Sequence, residues 1–377
     1  MFSRVAESEG RSTLLNLNDQ FPQIMVKFLN LFHSEAQFNR ISMVQLTSTQ
    51  EEEAKRIHSE AIVIDTHCDT LGSFLPQPRG AKQRRLGELS EKGQVEIPKM
   101  VEGGLTCQVF AMYTGVSEGQ PDALLKSLRM TDVFYREAVA NSAKFVSVTT
   151  VNEILAAKKA GKVCGMLSIE GAEPLMGDLG VMRIMHRLGV RMISFTWNWR
   201  TPFADGLSAK RTGGKLTELG VKAVEEMEKL GIVLDTSHIT DECFWDIADI
   251  KKDPFIASHS NCRSLCDTGR NLTDDMIKAL ADHHGVMGMN YLPGFIAKEG
   301  ANLEKMVDHI DHIVKLVGPD YVGLGSDFDG GGGCPGLEDS SKHINITREM
   351  VRRGYSEVDI KKILGGNHIR VFDEVFK

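Results

Sequence analysis

The run Ile62-Val63-Ile64-Asp65-Thr66-His67-Cys68-Asp69 is apolar until it stops at a histidine and an aspartate two positions apart. On an extended segment residues two apart share a face, so His67 and Asp69 can grip one cation together. An apolar run ending in a donor returns at Met166-Leu167-Ser168-Ile169-Glu170, Ile232-Val233-Leu234-Asp235-Thr236-Ser237-His238, Phe255-Ile256-Ala257-Ser258-His259 and Val322-Gly323-Leu324-Gly325-Ser326-Asp327. A single histidine of this kind is more often a satisfied structural residue than a ligand. The repetition of the pattern points instead to one shared site. His67, Asp69, Glu170, His238 and His259 make three imidazoles and two carboxylates, a set suited to zinc or another borderline divalent metal and larger than one ion needs. Glu170 can bridge two ions with its two oxygens, leaving His238 and His259 for the second. Two metals roughly 3.5–4 Å apart can share a hydroxide and polarise a carbonyl, which is hydrolytic chemistry. The proton needs a carrier, for which Asp327 at the last strand end is best placed and Asp329 is the weaker alternative.

The elements that must position these residues follow from the same runs. Ala61 to His67, Leu105 to Tyr113, Gly165 to Glu170, Val190 to Trp197, Gly231 to His238, Phe255 to His259, Gly285 to Tyr291 and Tyr321 to Asp327 are strand-length and apolar. Between them lie stretches of helical period such as Leu216 to Leu230 and Asn302 to Leu316. Thr240-Asp241-Glu242 and Thr273-Asp274-Asp275 read as helix starts, and Gly161, Gly189 and Gly231 as helix stops. Alternating strands and helices imply a parallel sheet. Donors at many separate strand ends favour a closed (β/α)8 TIM barrel, whose strand ends ring one mouth, over an open sheet with a single switch point.

The 377 residues, 42% hydrophobic and 25% charged, can bury one large barrel core. We expect a single catalytic barrel over 51–377, closed by C-terminal helices at Ile360 to Leu364 and Val371 to Phe376. Residues 1–50 read as an N-terminal extension, open to a helical form, that packs on the body or on a second subunit of a homodimer. Its stretch Phe21 to Phe32 is too short and too polar to span a membrane. A net charge of -7 with no basic block beyond Lys82-Gln83-Arg84-Arg85, read as a solvated loop, excludes the usual footprint of nucleic-acid binding. Seven irregularly spaced cysteines fit a reducing, cytoplasmic setting.

Other residues receive plainer readings. His309 and His312 read as a solvated helix face, and Cys262 and Cys266 as buried thiols. Trp197 is expected in a substrate wall and Trp199 in the core. Gly330 to Gly333 read as a mobile polar loop over the mouth.

The motifs Asp65-Thr66-His67-Cys68-Asp69, Ile169-Glu170-Gly171, Ser237-His238, Ser258-His259-Ser260 with Arg270-Asn271, and Gly325-Ser326-Asp327-Phe328-Asp329-Gly330 carry a family resemblance. In order and spacing, over about Ala61 to Phe372, the chain resembles the zinc-dependent membrane (renal) dipeptidases and their microbial relatives, within the amidohydrolase barrels. The resemblance implies two Zn2+ per chain, His67 and Asp69 on one, His238 and His259 on the other, Glu170 between them and Asp327 as proton shuttle. It also implies that Arg270 binds the substrate's terminal carboxylate, for which a planar guanidinium is well shaped, and that Tyr291 lines the pocket. The implied substrate is a small dipeptide, L,D-dipeptides included. The residues themselves leave open another small amide, lactone or ester, or a barrel that binds without turnover. Where the animal enzymes place a substrate-contacting histidine this chain has Trp197, and Asn198 stands beside it as a neutral donor to substrate.

Overall fold

The computed structural model describes residues 45–76, 83–115 and 120–377. Residues 1–44 of the expected extension, with the apolar stretch 21–32, lie outside the described residues, as does Lys82. The strands are β1 (Ile64–Cys68), β2 (Cys107–Tyr113), β3 (Phe145–Ser147), β4 (Val163–Glu170), β5 (Val190–Ser194), β6 (Val233–Asp235), β7 (Ile256–Ser260), β8 (Val286–Met289) and β9 (Val322–Leu324). All pair in parallel, and β9 pairs back with β1 through Leu324 and Asp65, so that β1, β2 and β4 to β9 close a ring. This is the expected (β/α)8 TIM barrel, and each of its eight strands overlaps one of the anticipated runs.

The remaining strand, β3, is not foreseen in the sequence. It pairs only with Val163 to Gly165 of β4, outside the ring, while β5 joins β4 from Leu167 onward. Three residues, two of them only partly buried, leave no apolar run to recognise.

Helix boundaries follow the capping residues. Thr240 and Thr273 accept from the backbone N–H of Cys243 and Met276 and open the helices Asp241–Ile250 and Asp274–Asp282. Gly231 ends the helix Glu218–Leu230 with φ 73°, in the left-handed region that glycine enters without steric cost.

Inside the barrel the strands approach closely across the axis. Thr66 Oγ1 donates to the Ser258 and Leu324 carbonyls at 2.7 and 2.9 Å. A Cβ on Gly288 or Gly325 would overlap the Ser258 carbonyl, so these two positions admit only glycine.

β5, β6, β8 and β9 stop earlier than their apolar runs, and for β6 and β9 the reason bears on function. Ser237 N donates to Asp235 Oδ1 at 2.9 Å, and Ser326 N to Asp65 Oδ1 at 2.8 Å, so side-chain carboxylates take N–H groups that the ladder would use. Past these contacts the chain turns, and His238 and Asp327 sit at φ 68° and 63°, although Asp327 N still donates to the His67 carbonyl. Non-glycine residues rarely occupy that region, and histidine and aspartate are among those that tolerate it best.

Candidate metal centre

The anticipated donors arrive at the C-terminal mouth of the barrel from five strand ends, two of them from β1. His67 lies in β1 and Asp69 just past it, Glu170 ends β4, His259 lies in β7, and His238 and Asp327 stand on the turns after β6 and β9. Glu170 is central: its Oε2 is 3.6 Å from His67 Nε2, while its Oε1 is 3.1 Å from His238 Nε2 and 3.5 Å from His259 Nε2. Asp69 Oδ2 is 3.5 Å from His67 Nε2. One carboxylate thus presents a separate oxygen to each histidine group.

The protonation of the two later imidazoles can be read from their outer nitrogens. His238 Nδ1 lies 3.1 Å from Asn198 Oδ1, an acceptor, so Nδ1 carries the proton and Nε2 is left with its lone pair. His259 Nδ1 lies 2.7 Å from Ser258 Oγ. The two Nε2 atoms face each other at 3.0 Å. His67 Nε2 and Asp69 Oδ1 are buried without any hydrogen-bond partner.

Electrostatics describe the same crowding. Burial holds His238 and His259 well below the usual imidazole range. Burial, and then the charge of Asp69, pushes Glu170 well above the usual carboxylate range. Burial raises Asp327 to about 6, with Asp69 adding to the rise against His67, Asn290 and Arg270. Burial lowers His67, but Glu170 and Asp69 outweigh it and bring it to about 10. Two neutral imidazoles with facing lone pairs, and carboxylates crowded around a third imidazole, are the conditions that a divalent cation relieves, so the donor set fits one.

Asp327 and Asp329 separate sharply. Asp327 Oδ2 accepts from Asn290 Nδ2 at 2.9 Å, and its carboxylate groups with His67 and Asp69. Asp329 is held by Arg84 at 3.0 Å, Thr70 Oγ1 at 2.7 Å and the Gln94 N–H at 3.1 Å. It is committed to structure, and Arg84, read as part of a solvated loop, is the largely buried cation that commits it.

Arg270 is buried, with Nη1 donating to Ser260 Oγ at 2.6 Å and the guanidinium 5.7 Å from the Phe295 ring centre. Its Nε and Nη2 have no partner. Trp197 is half-buried at the mouth, its ring 5.1 Å from Tyr113 and 5.9 Å from His238.

Tyr291, expected to line the pocket, is fully buried, with its ring against Phe328 and His343 and its hydroxyl without a hydrogen-bond partner. Asn290 turns its side chain to Asp327, so alternation sends Tyr291 the other way. Asn198 accepts from His238 Nδ1 through its carbonyl oxygen and so supports that ring, while the donor expected of it is its NH2 group. Trp199 is 49% exposed, not core. His309 is buried, bonded to the Cys262 N–H and the Ile296 carbonyl, so it is a satisfied core histidine.

The glycine run is a tight wrap around Asp327. Gly330 and Gly332 donate to the Asp327 carbonyl, and Gly333 to that of Tyr291. A Cβ on Gly330 would overlap Asp69 Oδ2 and lie 2.6 Å from Asp327 Oδ1. We expect Gly330→Ala to lower kcat/KM about 10²-fold, the effect of displacing reacting groups by about an ångström. Steady-state kinetics beside a thermal melt check this, and unchanged kinetics would contradict it.

Tyr113, opposite Glu170 in register, was not singled out in the sequence. Burial, then Glu170 and Asp69, raise its phenol to about 12. Its signal was there, a polar tip at the end of the second apolar run, but an aromatic residue in such a run reads first as core.

Comparison with known proteins places these features in a family context. The family model described as membrane dipeptidase (peptidase family M19) matches residues 51–377. An uncharacterized dipeptidase of Schizosaccharomyces pombe is 33% identical over 342 residues, covering 84% of this chain and 81% of that protein. Dipeptidase 3 of Mus musculus is 30% identical over 291 residues, covering 75% of this chain but only 58% of its own length. Among solved structures, a metallo peptidase from Rhodobacter sphaeroides, liganded with a phosphinate mimic of the dipeptide L-Ala-D-Ala, superposes with a TM-score of 0.79 at 27% identity. That match covers 84% of this chain and 100% of the other. No helix among the described residues is long and apolar enough to cross a membrane.

Proposed function

Because the chain belongs to the membrane dipeptidase family, peptidase family M19, we propose that it is a zinc-dependent dipeptidase that hydrolyses the single peptide bond of small dipeptides, L,D-dipeptides included. The observation that carries this reading is Glu170, with one oxygen toward His67 and the other toward His238 and His259. In this reading His67 and Asp69 hold one ion, His238 and His259 the other, and Glu170 is shared. Two zinc ions, or another divalent pair, supply an acidified water and a polarised carbonyl when bound.

The chain's own residues do the rest. Arg270 offers Nε and Nη2 to the substrate's terminal carboxylate, and Ser260 holds its Nη1 in place. Trp197 and Tyr113 form an aromatic wall beside His238. Asp327, held by Asn290, accepts the proton of the attacking water and returns it to the leaving amine. The inclusion of L,D-dipeptides draws support from the ligand bound to the Rhodobacter sphaeroides relative.

The test pairs metal analysis with a substrate panel. The purified protein is expected to carry about two divalent ions per chain, as a two-metal hydrolase requires. Chelation should abolish hydrolysis of L,L and L,D dipeptides, and re-addition of zinc should restore it. Metal-loaded protein that cleaves a lactone, ester or other amide panel but no dipeptide would replace this reading.

A further inference from the structure

Asp235 and Ser258 lie behind His259, and no catalytic step so far uses them. Asp235 Oδ1 accepts from the Ser237 and Ser258 N–H groups at 2.9 and 2.8 Å, and its Oδ2 from Ser258 Oγ at 2.6 Å. Ser258 Oγ is also 2.7 Å from His259 Nδ1. A hydroxyl has one proton, and a carboxylate oxygen can only accept, so that proton goes to Asp235. Ser258 must then accept from His259, which fixes the ring proton on Nδ1 and leaves the Nε2 lone pair for the site.

A second aspartate shows what this adds. Asp65 makes the same three bonds, to the His67 N–H at 3.2 Å, the Ser326 N–H at 2.8 Å and Ser326 Oγ at 2.5 Å. There the serine contacts the His67 carbonyl at 3.1 Å, so that arrangement holds backbone to backbone. Asp65 Oδ2 also faces His343 Nε2 at 3.7 Å, an imidazole outside the donor set. The Asp235 arrangement instead reaches, through the Ser258 hydroxyl, an imidazole of the donor set itself.

We infer that Asp235 and Ser258 form a positioning relay that sets the tautomer of His259 and thereby its capacity to bind metal. The inference rests on the proposed reading of His259 as a metal ligand. Outer-shell partners of this kind typically change metal affinity by 10–100-fold when removed.

Asp235→Asn is the informative variant. The Asn carbonyl oxygen can keep both backbone N–H bonds, but its NH2 now donates to Ser258 Oγ. The serine hydroxyl is then turned toward His259 Nδ1, which becomes the acceptor, and the ring proton moves to Nε2, on the metal side. Ser258→Ala removes the relay without that reversal, and Ser258→Thr retains the hydroxyl.

Cobalt(II) titration, followed by visible absorption and chelator competition without substrate, reads metal affinity directly. Asp235→Asn and Ser258→Ala should each bind one of the metal equivalents about 10–100-fold more weakly, with altered bands for that equivalent and thermal melts that show folded protein. Ser258→Thr should return both properties toward wild type. Folded Asp235→Asn and Ser258→Ala proteins that bind cobalt as wild type does would overturn the relay and leave the dipeptidase reading intact. A wild-type protein that binds metal yet leaves dipeptides uncut would refute the dipeptidase reading while the relay stands.

Discussion

Asp327→Asn lowers kcat for dipeptide hydrolysis by about 10²–10⁴-fold, the usual contribution of a positioned acid/base group, and leaves bound metal unchanged. The substitution is nearly isosteric, and asparagine tolerates the left-handed φ of 63° that Asp327 adopts, so the turn is preserved. Asn290 Nδ2, which donates to Asp327 Oδ2, finds an equivalent acceptor in the amide oxygen. What is lost is the capacity to take up a proton and give it back. Asp329→Asn is the matched comparison: its carboxylate is engaged by Arg84, Thr70 and Gln94, so that variant should lose thermal stability and keep most of its kcat. Single-turnover kinetics with metal analysis decides, and an Asp327→Asn enzyme within tenfold of wild type would transfer the proton step to another group.

The contrast between these two aspartates shows what a sequence reveals and what it withholds. Barrel strands are buried on both faces, so a donor at the end of an apolar run stands out, which made His67, Glu170, His238, His259 and Asp327 legible before any coordinates. The eight ring strands were legible for the same reason. The partner of a side chain is not written in its own run. Arg84, which commits Asp329 to structure, lies 245 residues away. Asn198 read as a substrate donor because Trp197 stands where the animal enzymes place a histidine; its contact with His238 depends on the left-handed turn there, which brings the imidazole onto its oxygen. The burial of Tyr291 was not legible, because its direction depends on where β8 ends, at Met289, and on Asn290 turning to Asp327. The glycine run read as mobile because glycine permits motion, whereas here it permits contact, with Gly330 seated against two carboxylates.

Arg270→Met raises KM for dipeptides by about 30- to 10³-fold, equivalent to ~2–4 kcal/mol for removing one partner of a buried charge pair, with kcat little changed. In the free protein the guanidinium is an expense: it is buried, burial lowers its pKa, and only Nη1 has a hydrogen-bond partner. A buried cation with unpaired donors is destabilising on its own terms. The variant should therefore melt no lower than wild type, which separates a binding role from a structural one. Substrate chemistry supplies the second half of the cycle. If Nε and Nη2 meet the terminal carboxylate, wild type loses its advantage on a dipeptide whose C-terminus is an amide, and the two proteins converge there. Equal KM values for the free acid in both proteins would move the carboxylate to another anchor, and a large fall in Tm would make Arg270 a structural residue.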